Sequence, residues 1–207
     1  MDYYPWLVDD EDESFAWNMD TPRELMEKDY LLHRGSSCRD WFPEGLVFDL
    51  SRDHGAKLTD CIPNTDSFLI VSEKLKELLE THAPDDPIEV LPVRLRNPRK
   101  KLVAAPYFIA NVLGTVSCMN KSKSKFTMDS IIKDQVLWFE RLVLDEKKIP
   151  KEKKLFRLAE KRTLFIIRED LAQKILHADC TGMMFIPMEN YGEEFRSDDD
   201  DEDDEES

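Results

Sequence analysis

No stretch of the chain approaches the roughly 18 consecutive apolar residues needed to cross a bilayer. Its first residues, MDYYPWLVDDEDE, offer neither a basic start nor an apolar core of the kind a secretory signal carries. No membrane partner is expected, and a cytoplasmic setting is the default. Glycine is scarce, six in 207 residues, which argues against a backbone cradle for phosphates. The chain also lacks a Gly-x-Ser-x-Gly elbow and a His-Glu-x-x-His helix. Its four cysteines, Cys38, Cys61, Cys118 and Cys180, are scattered, with no Cys-x-x-Cys pair and no histidine at ligand spacing. They read as buried free thiols, and neither a metal site nor a cofactor is expected.

The catalytic constellations are equally thin. His54, beside Asp53, is the best candidate base, but neighbours on a strand point to opposite faces, and a turn role fits the Arg52-Asp53-His54-Gly55 context better. Cys38 follows Gly35-Ser36-Ser37 without a histidine at motif spacing. His177 suits a helix C-terminus, and His33 and His82 carry no signal. No catalytic residue is assigned, and an enzyme is not expected.

What the chain has in abundance is charge, unevenly placed. Its net charge is −15. Residues 1–66 sum to −10, residues 67–192 to +5 and residues 193–207 to −10. A mildly basic centre thus lies between two acidic ends. The nine consecutive carboxylates at 198–206 repel one another and bury nothing, so residues 193–207 are expected to be a disordered tail. Three basic clusters, at 94–101, 121–125 and 147–154, are expected in loops, where they could meet phosphates nonspecifically. No aromatics interleave them, so nucleic-acid binding stays an alternative reading: a regulatory protein whose tail competes for its own lysine loops.

Length favours one domain, with residues 1–40 as an acidic, aromatic segment packed on a body at 41–192. Thr21-Pro22 looks like a helix start, with Thr21 as N-cap and Pro22 at the first helical position, and residues 3–8 and 15–19 look like short strands. Residues 68–71 read as a strand, Ser72 as an N-cap, and 73–82 as a helix with Leu75, Leu78 and Leu79 on its buried stripe. Residues 88–93 form the returning strand, with Pro92 marking an edge or bulge. The pattern recurs at an offset of 96: a strand at 164–167, a helix at 168–177 with Leu171, Ile175 and Leu176 inward, and a strand at 183–188. Any two such units look somewhat alike; Pro92 matching Pro187 raises the correspondence above that background. Between them, 107–116, 124–128 and 136–144 read as an antiparallel meander, with Gly114 at a bulge or close approach. The fold class is α+β: a mixed, mostly antiparallel sheet with two strand-helix-strand units and a few short helices.

The segments Trp41-Phe42-Pro43, LVFDLS at 46–51, CIPNTDSFLIVSEKLKELLE at 61–80, LPVRLRN at 91–97, YFIANVLGTVSCMN at 107–120, LFRLAE at 155–160 and residues 164–188 carry a resemblance. Over residues 40–190 the chain resembles the immunity-protein-eleven family of bacterial polymorphic toxin systems. The resemblance implies a non-enzymatic protein that binds and neutralises a cognate toxin; it supplies no catalytic or metal ligands. Tight binding needs aromatic anchors on an exposed patch. Trp6, Trp17 and Trp41, with Asp9, Asp10 and Glu11, are the candidates in the acidic N-terminal third, a face that would suit a basic nuclease toxin.

Overall fold

Strand β6 (Tyr107–Val112) shows why the sequence reads YFIANV without a polar interruption until Asn111. Tyr107 and Ile109 enter one core, while Phe108, Ala110 and Val112 enter another, so the strand is buried on both faces. The computed structural model describes residues 2–192, and the predicted acidic tail lies outside them. β6 pairs antiparallel with β4 (Ile70–Ser72) on one side and β5 (Ile88–Arg96) on the other. β3 (Cys61–Ile62) extends the sheet beyond β4, and β2 (Val47–Asp49) joins β5 in parallel. The order is β2-β5-β6-β4-β3. A second sheet, antiparallel throughout, has the order β11-β1-β10-β9, from β1 (Tyr3–Val8), β9 (Leu155–Leu158), β10 (Lys161–Arg168) and β11 (Met183–Phe185).

The two strand-helix-strand units sit in different sheets with one topology. Helix α2 (Glu73–His82) joins β4 to β5, and α3 (Glu169–His177) joins β10 to β11. In each unit the joined strands are not neighbours. An antiparallel strand stands between them: β6 in the first sheet, β1 in the second. One inserted strand follows its unit in sequence, and the other comes from the N-terminus. Ser72 caps α2, its Oγ accepting from the Leu75 N–H at 3.2 Å. Leu75, Leu79, Leu171 and Ile175 are all buried and meet in one core with Trp6, Val71, Val112, Phe165 and Ile167. Leu176, expected inward, is 45% exposed, and Ala172 packs inward instead.

Each sheet is covered on its other face too. Leu25, Leu32, Phe48, Leu95 and Ile109 fill a second core under the N-terminal chain and α1 (Asp29–His33). A third core, with Phe139, Leu142, Phe156 and Ile166, lies beneath the ribbon β7 (Lys125–Met128) and β8 (Val136–Arg141). The expected meander is therefore divided: β6 belongs to the first sheet, and β7–β8 form a separate two-stranded ribbon. Residues 15–19 make only isolated bridges at Phe15 and Asn18. Pro22 opens a run of turns, and α1 itself begins at Asp29; the Thr21 hydroxyl, expected as a cap, donates to the Asp66 carboxylate instead. Pro92 lies inside β5, but β2 pairs only with Arg94 onward, so the proline sits where that flank is locally an edge. Among the described residues no helix is long and apolar enough to cross a membrane.

The shared helix core makes a quantitative expectation. Leu75→Ala and Leu171→Ala should each lower unfolding free energy by about 3 kcal/mol, read as a lower urea midpoint with little change in slope. A cost under about 1 kcal/mol for either would mean that the two units do not share one core.

Candidate functional site

The acidic N-terminal loop is built by its own carboxylates. Leaving β1, the chain turns so that Asp9 accepts from the Glu11 N–H at 3.3 Å and Asp12 from the Ser14 N–H at 2.9 Å. Hydrogen bonds from Ser14, with help from Lys57 at 3.3 Å, hold the Asp12 carboxyl below the usual carboxylate range. Asp10, Glu11 and Glu13 are left exposed. Gly55 presses against the turn so closely that a Cβ there would overlap the Ser14 carbonyl, which fixes loop 51–57 beside loop 9–14. Trp17, half-buried, stacks on His54 with ring centroids 5.3 Å apart. The His54 Nδ1 lies 3.0 Å from the Ser51 hydroxyl, so that ring serves the turn. Exposed Met19 and Asp20 follow Trp17 by two and three residues and exposed Asp53 precedes its stacking partner, while the exposed cations Arg52 and Lys57 share loop 51–57. The result is an acidic face with an aromatic edge.

Of the three tryptophans, Trp17 alone belongs to this face. Trp6 is 5% exposed and packs edge-on against Phe185 at 5.2 Å. It is a core residue, because β1 is an inner strand and every second side chain points into the helix layer. Trp41 packs on Phe42 beneath the Lys28 ammonium, which stands 5.2 Å from its ring. Asp9 is half-buried and occupied by its turn, whereas Asp10 and Glu11 are free to meet a partner.

The cysteines and two of the histidines are accounted for by packing and hydrogen bonds. All four cysteines are buried and free. Burial, reinforced by the Glu89 charge, pushes the Cys38 thiol up to about 11, opposite to a nucleophile's requirement. His33 and His177 are held by the Asp66 and Gln173 carbonyls. Among the described residues no three His, Cys, Asp or Glu side chains gather in a metal-holding group. The basic clusters are partly spent on ion pairs. Arg96, in β5 and not in a loop, grips Asp49 at 2.6 and 2.7 Å, with Lys100 beside it at 3.5 Å. Lys153 meets Asp86 at 3.5 Å and Lys154 meets Asp170 at 3.3 Å.

A family model described as an immunity protein family (Imm11) matches residues 8–190. The chain belongs to that family. No curated protein matches it by sequence. The matched span includes the acidic turn and Trp17.

The fold of this chain also holds a buried polar network that nothing in its sequence had singled out. Glu89 is 3% exposed, and its carboxylate accepts from the Ser37 hydroxyl (2.7 Å), the Cys38 and Arg39 N–H groups (2.8 and 3.2 Å) and the Asn111 amide (3.1 Å). Asn111 in turn approaches Arg157, whose Nε donates to the Val112 carbonyl at 2.9 Å and whose guanidinium lies 4.3 Å over Phe165. This chain of contacts ties the N-terminal segment to the first sheet and the first sheet to the second. Alternation could have found it: the parity that sends Leu91, Val93 and Leu95 inward sends Glu89 inward too. Burial raises the Glu89 pKa, but its four donors together outweigh that and hold the carboxyl below its ordinary 4.5. A depressed carboxyl stabilises the fold above that value and loses its contribution as pH falls below it. Glu89→Gln should therefore cost about 2 kcal/mol near pH 7 and flatten the decline in stability below pH 4.5, followed by urea melts across pH 3–7. An unchanged acid limb would remove Glu89 from that role.

Proposed function

We propose that this Imm11 protein neutralises a cognate protein toxin in the cytoplasm by binding and covering it, without chemistry of its own. Family membership over residues 8–190 carries the reading. The acidic face supports a partner of basic character: exposed Asp10, Glu11 and Glu13 lie on a turn locked by Asp12 and Gly55, beside the loop whose His54 stacks on Trp17. Such a face attracts a cationic surface from a distance and offers it an apolar centre on contact. A basic nuclease toxin fits that description, because an enzyme acting on a polyanion must itself be positive where it binds. Occlusion of that surface blocks the substrate directly.

Two measurements test the proposal. Cells expressing a toxin whose gene adjoins this protein's should be rescued by co-expression of the protein; cells that die equally with and without it would sink neutralisation. Asp10→Lys with Glu11→Lys should slow toxin association about tenfold at low ionic strength, and the difference should shrink near 0.5 M salt, where the screening length is only about 4 Å. Rescue that survives with an unchanged association rate would keep the function and move the interface off this loop.

A further inference from the structure

A second surface, opposite in charge, lies at the tip of the β7–β8 ribbon. Asp129 accepts from the Ile131 and Ile132 N–H groups at 2.7 and 2.9 Å. That turn throws both side chains outward: Ile131 is 89% and Ile132 53% exposed. Beside them an open cleft is lined by Arg34, Gly114, Thr115, Lys133 and Arg162, with no carboxylate in its wall among the described residues. Its three cations come from three separate parts of the chain: the end of α1, the ribbon tip and β10. Arg34 lies over the Tyr30 ring at 5.1 Å. Asp129 is spent on the turn, and Asp134 stands in the same loop. Adjacent exposed isoleucines framed by cations make a surface built to be covered.

The chain carries a segment of matching charge that can reach it. Gly192, the last described residue, sits so tightly against β8 that a Cβ there would overlap the Phe139 carbonyl. From Phe139 back to Val136, where the ribbon tip begins, is about 10 Å along the strand. Residues 193–197 span up to about 17 Å when extended, which brings the acidic run at 198–206 within range of Lys133. We propose that this run docks on the Arg34–Lys133–Arg162 cleft of its own chain and shields Ile131 and Ile132. Each exposed ion pair contributes at most about 1 kcal/mol. The short tether, however, supplies an effective concentration on the millimolar scale, so contacts too weak to persist between molecules suffice within one. The proposal does not depend on the toxin-binding reading.

Zero-length carbodiimide crosslinking of the dilute full-length protein tests it, by peptide mapping of the monomer band. The reagent joins an amine to a carboxylate as an amide and is itself hydrated to a urea. Lys133 should be coupled to residues 198–206 at low salt, and the coupling should disappear near 0.5 M salt, where exposed pairs are screened. The Arg34→Glu, Arg162→Glu double variant should lower the Lys133 yield at least threefold. Three outcomes overturn the proposal: a tail coupled evenly to Lys121, Lys123, Lys147 and Lys151; a Lys133 crosslink found only in a dimer band; or a yield indifferent to the double variant.

Discussion

The insertion of β1 between β10 and β11 is the constraint on which the rest of the structure depends. Without it the second sheet would present two parallel strands separated by an unfilled gap, with the backbone groups of β10 and β11 unpaired toward each other. With it, Trp6 completes the core beneath both helices, and the N-terminus is held in the body of the fold. The acidic turn then has to emerge where β1 ends. Its position is set by strand pairing, and its outline by Asp9 and Asp12 capping their own backbone.

The same economy runs through the first sheet, where β6 fills the corresponding gap between β4 and β5. The two halves meet through α2 and α3 and through the Glu89–Asn111–Arg157 network. Burying a carboxylate and a guanidinium is costly unless each is hydrogen-bonded throughout. Glu89 meets that condition with four donors drawn from two segments, which makes the docking of residues 36–39 specific to one geometry.

Two surfaces of opposite sign result on one molecule. The acidic face around Trp17 belongs to the N-terminal turn, and the cationic cleft beside Ile131 belongs to the ribbon tip and its neighbours. A net charge of −15 describes neither, because part of the central basic excess is paired with the acidic N-terminal third, as in Arg96–Asp49 and Lys74–Asp60. The cations left over at the cleft give the surface its character.

Sequence by itself determined the local elements whose cause is local. Ser72 capping α2, the stripes Leu75–Leu79 and Leu171–Ile175, and the two strand-helix-strand units follow from periodicity and cap chemistry within a few residues. The α+β class and the family resemblance were legible for the same reason: both rest on contiguous apolar patterns. Tertiary structure decided everything that needed partners distant in the chain. Trp6 and Trp17 look alike in sequence, yet one is core and the other half-exposed, because strand insertion buries Trp6 while Trp17 stacks on the exposed His54. Thr21 reads as a cap, yet its hydroxyl goes to Asp66, 45 residues away. Arg34, Lys133 and Arg162 carry no shared motif and become one cleft only when the ribbon folds over the sheets. Periodicity reports which face of an element is apolar; only pairing between distant segments says what that face, and the charge opposite it, will meet.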